Sequence, residues 1–284
     1  MTVSALVDAH HHLWDTAERE YGWMDGAWAD PLRGRFGPGE LAAAVGHRGQ
    51  VATIAVQAVA DTAESAELLA IAADPGTPVA AVVGWVDLTA RDAADSIAAL
   101  RAGPGGEHLV GIRHLVQDEP DPDWLLRPDV ARALAELTRA GLVYDLLVKP
   151  PQLAAAVRVA RAHPELSFVL DHIGKPEIGT GDREPWAAAI RDIAALPNVT
   201  VKLSGVVTEA DWREWTVAEV LPYARHALET FGPQRTMFGS DWPVCTLAAS
   251  YDEVFSLAAR TCADLSTAER DRVFGGTART VYGF

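Results

Sequence analysis

Cysteine is nearly absent. The chain has 284 residues and two cysteines, Cys245 and Cys262. They form no CxxC pair, so neither a disulfide scaffold nor a thiolate zinc site is indicated. Positive charge is also scarce. Lys and Arg total 24 against 39 Asp and Glu, a net charge of -15. A nucleic-acid binder presents a basic face, so this balance argues against nucleic acid, and it disfavours anionic membranes. A small anionic substrate is still allowed, because a few buried arginines invert the field locally. No apolar run approaches the roughly 18 residues that cross a bilayer. The N-terminus, MTVSALVDAHHH, lacks a basic region followed by an apolar one, so no signal peptide is read and the expected compartment is the cytoplasm.

What the chain has is alternation. Apolar, β-branched runs of strand length recur at Ala5–Leu13, Val51–Val59, Val79–Leu88, Leu109–Val116, Val143–Lys149, Ser167–Gly174, Val199–Val207 and Arg235–Trp242. Most are nearly continuous in apolar residues, the pattern of parallel strands covered on both faces. Helical periodicity fills the intervals at Thr62–Ala73, Ala90–Arg101, Asp123–Ala140, Gln152–Ala162, Pro185–Ala195, Val217–Phe231 and Thr267–Val281, and more weakly near Gly39–His47. Eight such units in one chain predict a single α/β domain over residues 1–284, a (β/α)8 TIM barrel. A doubly wound open sheet is the other fold with this alternation, but no GxGxxG follows the first strand. The Trp- and Gly-rich loop Trp14–Phe36 is long enough to form a lid or pocket wall.

Chemistry in such a barrel belongs at the carboxyl ends of the strands. The first run ends in Asp8-Ala9-His10-His11-His12. Side chains alternate along a strand, so His10 and His12 point one way and His11 the other. Two such imidazoles make a pair of metal ligands or carbonyl hydrogen-bond donors. The sixth ends in Asp171-His172-Ile173-Gly174, with His172 either facing the pocket or a satisfied rim residue. The eighth ends in Ser240-Asp241-Trp242-Pro243. Barrel closure brings Asp241 to the His10 and His12 pair, where it suits acid–base work on water, with a turn-capping role as the alternative. Arg113 on the fourth run is read as a guanidinium grip on the far side of a substrate, across the mouth from Asp241, or as a rim salt bridge. Trp85 and Asp87, Lys202 and Ser204, Lys149, and Trp242 are further residues at strand ends, of which Trp85, Lys202 and Trp242 are expected to bind substrate.

Five segments then stand out together: DAHHHLWD (8–15), GIRHLVQDEP (111–120), FVLDHIGKPEI (168–178), VKLSGVV (201–207) and MFGSDWPV (237–244). In this order they resemble the amidohydrolase superfamily, and more closely its lactone hydrolases: fuconolactonases, rhamnonolactonases, sulfomuconolactonase and the pyrone-dicarboxylate lactonase. The similarity runs from Asp8 to about Val254. It implies a distorted (β/α)8 barrel that opens a cyclic ester. It also implies that the strand-1 HxH is His10 and His12, the strand-6 histidine His172 and the strand-8 acid Asp241. Some members of the branch bind one divalent metal, zinc or manganese, and others bind none. A metal here would take His10, His12, His172 and Asp241. A bridging lysine at the end of strand 4 and a histidine at the end of strand 5 are missing, which argues against a two-metal site.

The expected activity is therefore hydrolysis of a small lactone, from a sugar or from aromatic catabolism. The three histidines polarise the carbonyl and Asp241 serves the water. The alternatives are an amidohydrolase-type hydrolase or decarboxylase acting on another small carboxylate, and a non-enzymatic barrel that binds sugar or metal. The sequence leaves a homo-oligomer open.

Overall fold

The computed structural model describes residues 6–284; Ala5, where the first predicted strand begins, lies outside them. Eight parallel strands form one sheet in sequential order. They are β1 (Leu6–His11), β2 (Val51–Val56), β3 (Val79–Gly84), β4 (Leu109–His114), β5 (Val143–Leu146), β6 (Phe168–Leu170), β7 (Val199–Leu203) and β8 (Thr236–Phe238). The seam between β8 and β1 is closed by one bridge, His11 to Trp242. Around that bridge Asp241 N donates to His10 O at 2.8 Å and His12 N to Trp242 O at 2.7 Å. The barrel therefore closes through the segments predicted to carry its chemistry.

Each strand is followed by a helix: α1 (Pro38–Val45), α2 (Thr62–Ala72), α3 (Ala93–Ala102), α4 (Pro128–Ala140), α5 (Leu153–Ala162), α6 (Glu184–Ala194), α7 (Val217–Phe231) and α8 (Tyr251–Thr261). α7 has its predicted limits, with Thr216 N donating to the Glu219 carboxylate at 2.8 Å as its capping box. α4 starts later than Asp123 because Pro128 sets its first turn, and it ends on left-handed Gly141 as expected. α8 was not anticipated, although Ser250 and Glu253 form the same capping box before it. The expected helix Thr267–Val281 is broken into Thr267–Asp271, a π turn at Arg272–Gly276 and Thr277–Tyr282. The Gly275–Gly276 pair gives the backbone that freedom.

The strands are shorter than the apolar runs suggest, because those runs continue into turns at the barrel mouth. The two-residue period sorts β5 cleanly: Tyr144 and Leu146 pack against the helices, while Val143 packs inside the barrel. The lower interior is apolar, built from Val7, Ala9, Ile54, Val83, Val169 and Met237 among others. The upper interior is polar, with His10, Gln57, Arg113, Asp145, Asp171 and Lys202 buried there. The long loop after β1 is tied at its base by an antiparallel pair, Trp14–Asp15 against Arg35–Phe36.

Candidate active site

β1 delivers the first two groups. The Nε2 atoms of His10 and His12 face each other at 3.2 Å. His11 turns away to Thr53 Oγ1 at 2.9 Å. His12 Nδ1 meets the carbonyl of Val56 at 2.8 Å. That contact places its proton on Nδ1 and leaves Nε2 bare toward the cavity. Asp8 below accepts from Ser240 N at 2.8 Å and His10 N at 3.2 Å, and burial pushes its pKa up to about 6. It clamps the end of β1 to the segment after β8.

β6 ends in a short 3-10 turn, Asp171–Gly174, whose backbone enters the left-handed region at His172 (φ 52°) and Ile173 (φ 48°). Non-glycine residues there cost about 1–2 kcal/mol each, a strain that clusters at functional sites. The turn aims His172 at the barrel axis, where its Nδ1 meets Ser204 Oγ at 3.0 Å. Gly205 permits this approach, since a Cβ on it would lie 2.4 Å from His172 Nδ1. Burial lowers the His172 pKa to about 4 against the pull of Asp241 and Asp171, so the ring is neutral near pH 7.

Asp241, after β8, is also left-handed, at φ 58°. Its Oδ1 lies 3.5 Å from His12 Nε2, 3.7 Å from His10 Nε2 and 3.9 Å from His172 Nε2. Burial acts to raise its pKa, but His172 and His12 alongside outweigh that and hold the carboxyl below its ordinary range. The structure thus brings together all four residues singled out for catalysis.

Arg113 lines the cavity yet reaches back to His10 and makes a salt bridge, the alternative expected for it. Its Nη1 lies 3.3 Å from His10 Nε2 and donates to Asp171 Oδ2 at 3.0 Å, and its Nη2 donates to Gln57 Oε1 at 2.9 Å. Lys202 is wholly buried behind the site, with Nζ 2.5 Å from Asp145 Oδ2, 3.1 Å from Asp171 Oδ1 and 3.2 Å from His10 Nδ1. Burial would raise the Asp171 pKa, but Lys202, His10 and Arg113 hold it well below normal. Gln57, Asp145 and Asp171 had been given no role. Gln57 and Asp145 carried a signal, as lone polar residues inside the apolar runs IAVQAV and LVYDLLV.

Above these groups opens a cavity of about 200 Å³. Its lining includes His12, His172, Asp241 and Arg113, with Trp23 and Trp28 from the loop after β1 and Trp212 from the loop after β7. Trp85, Lys202 and Trp242 do not border it. Trp85 instead donates to His114 Nδ1 at 3.0 Å, and Trp242 packs on Phe36 at the seam. Lys175 in the lining is ion-paired to Glu209.

Among the described residues, two groups of donors are spaced for a metal: His10, His12 and Asp241, and His10, Asp171 and His172. In the first, the facing atoms are 3.2–3.7 Å apart. A tetrahedron with bonds of about 2.0–2.1 Å has edges of about 3.4 Å, so this set fits one zinc-sized ion. The second set is already filled by cations of the protein, since Arg113 and Lys202 both meet the Asp171 carboxylate.

Residues 7–284 match the family model described as amidohydrolase. An L-fucono-1,5-lactonase from Burkholderia multivorans is 44% identical over 287 residues, covering 97% of this chain and 95% of its own. A second L-fucono-1,5-lactonase, from Burkholderia ambifaria, is 38% identical over 280 residues, covering 97% and 94%. A crystal structure of an amidohydrolase from Burkholderia multivorans with bound zinc superposes with a TM-score of 0.90 at 43% identity, covering 99% of this chain and all of that one. The histidine pair, the strand-6 histidine and the strand-8 aspartate thus stand on a barrel shared along its whole length, and the chain belongs to the amidohydrolase family.

Proposed function

We propose that the protein hydrolyses the ester bond of a small, uncharged sugar lactone. One observation carries this reading. The ionised Asp241 carboxylate sits within 3.9 Å of three imidazoles on the floor of a solvent-open cavity. That is an acid–base group for water beside imidazole nitrogens that face a substrate or an ion, as ester hydrolysis uses. The relatives named as lactonases support the same reaction.

The residues divide the work as follows. The lactone carbonyl oxygen points toward Arg113, whose positive charge favours the developing oxyanion although its N–H groups are held by Asp171, Gln57 and His10. Asp241 takes a proton from water as the water oxygen bonds to the carbonyl carbon. The bond from that carbon to the ring oxygen then breaks, and Asp241 returns the proton to the leaving ring oxygen. The product is an open hydroxy acid. The Asp241 pKa is low, so position contributes more than basicity. His10, His12 and Asp241, with His172 alongside, would hold a divalent ion. When bound, such an ion supplies Lewis-acid polarisation of the carbonyl and a more acidic water.

The choice of a neutral substrate is supported by the lining. Arg113 is engaged by Asp171 and Gln57, and Lys175 by Glu209. The same lining holds the carboxylates of Asp118, Glu209 and Asp241. A dianionic lactone meets no free cation among these residues. A neutral polyol ring finds hydrogen-bonding groups together with the indoles of Trp23, Trp28 and Trp212 in the same lining. The test is a proton-release screen over aldono-lactones and carboxylated aromatic lactones, with and without chelator. Turnover of neutral sugar lactones is expected. A preference for the dianionic substrates would overturn the assignment of class, and no lactone turned over would overturn the reaction.

A further inference from the structure

The last helical segment, Thr277–Tyr282, covers the floor of the barrel. Ala278 and Tyr282 pack with Val7, Ile54, Val83 and Met237 of the lower interior. The Tyr282 phenol continues upward. Its hydroxyl lies 2.8 Å from Asp145 Oδ1 and 3.0 Å from Oδ2. Its ring lies beneath the Lys202 ammonium, 5.6 Å from Nζ to the centroid.

From this hydroxyl a continuous polar chain reaches the site. Asp145 meets Lys202, and Lys202 meets both Asp171 and His10. Lys202 hydrogen-bonds Asp145 and His10 and is ion-paired with Asp171. We infer that Tyr282, from the floor of the barrel, is a positioning residue for His10, acting through Asp145 and Lys202. The inference rests on the proposed reaction only for its kinetic readout.

The physical step is the orientation of Asp145. Tyr282 is the partner of Asp145 Oδ1, while Lys202 takes Oδ2. Without the phenol hydroxyl, Oδ1 is a buried acceptor with no donor, which is costly. The carboxylate then turns to share the lysine between both oxygens. That draws Nζ down and away from His10 Nδ1, and the ring loses one of the contacts that fix its tilt. A 1 Å misplacement of a catalytic group is enough to slow chemistry without changing binding.

Tyr282→Phe removes the hydroxyl and keeps the ring that fills the floor. On a lactone that the wild type opens, kcat is expected to fall roughly tenfold with KM within about twofold. Asp145→Asn, which keeps size and shape, should give a similar loss, and the double variant should lose little more than either single one. Unchanged kcat with only a lowered melting temperature, or losses that multiply, would overturn the inference. Histidine 15N spectra supply a readout free of turnover. The His10 ring signals should move in Tyr282→Phe while those of the remote His108 and His163 stay. An unmoved His10 signal defeats the inference, whether or not the protein opens lactones. Failure of the wild type on every lactone defeats only the proposed reaction. If Tyr282→Phe does not fold, the same signals in Asp145→Asn decide.

Discussion

Arg113 and His10 share one partner and touch each other. Arg113 Nη1 lies 3.3 Å from His10 Nε2, while Asp171 Oδ2 accepts from Arg113 at 3.0 Å and its Oδ1 lies 3.3 Å from His10 Nδ1. In the proposed reaction, this places the guanidinium charge beside the carbonyl oxygen on which negative charge develops.

Arg113→Lys keeps the charge but loses the fork that serves His10, Asp171 and Gln57 together. The loss should fall on kcat, about 10- to 100-fold, with a smaller change in KM. Steady-state kinetics on a neutral lactone decide it. A rise in KM at full kcat would return Arg113 to the remote grip that its sequence position suggests.

Asp241→Asn should abolish most turnover and leave the fold intact. Asn tolerates the left-handed backbone nearly as well as Asp, so the φ of 58° is no obstacle. Loss of the proton acceptor should lower kcat by about 10²-fold or more. Wild-type kcat in a correctly folded variant would remove Asp241 from the mechanism.

The barrel was legible because its strands are apolar on both faces and its helices are periodic. Those signals depend on local sequence. His10, His12, His172 and Asp241 were legible because polar residues interrupt apolar runs at strand ends. Lys202 was legible as a strand-end residue but not in its role. Its side chain points into a closed interior where Asp145 and Asp171 arrive from other strands, and no local pattern reports that meeting. Arg113 was misplaced for the same reason: strand number gives an angle around the barrel, but not how far a long side chain reaches toward the axis. Trp85 and Trp242 are aromatic residues near strand ends, yet they turn to His114 and Phe36. α8 was overlooked despite its Ser250 and Glu253 signature.

Glu64 on α2 offers a test of stability against pH. Its Oε2 accepts from Ala58 N at 2.9 Å and Val59 N at 3.1 Å, and its Oε1 has no partner among the described residues. Burial raises its pKa from 4.5 to about 7, although those two N–H groups oppose the shift. Below about pH 4.5 the group is protonated in both the folded and unfolded chains. Between about 4.5 and 7 the folded chain keeps a proton that the unfolded chain has lost, so stability falls as pH rises. Above that window the full cost is about 3 kcal/mol. Glu64→Gln cannot lose a proton, so its stability relative to wild type should improve by that amount from pH 4 to pH 8. Denaturant unfolding at several pH values measures the difference, and parallel curves would show that Glu64 is not the source.

The final prediction concerns the metal. We expect one divalent ion per chain when the protein is loaded with zinc, held by His10, His12 and Asp241. Their facing atoms already stand 3.2–3.7 Å apart, so little movement is needed to close around an ion. The second donor set shares His10 and depends on Asp171, whose oxygens face Arg113 Nη1 at 3.0 Å and Lys202 Nζ at 3.1 Å. A metal there would have to displace two buried cations or lie beside them, and like charges in a low-dielectric interior repel strongly. Chelator-treated protein should therefore take up a single tight equivalent in calorimetry. His12→Ala should weaken that uptake by 10-fold or more, because one of three donors is lost while the Lys202 network stays whole. His11→Ala should not, since that ring faces Thr53. Two tight equivalents per chain, or uptake unchanged in His12→Ala, would sink the assignment.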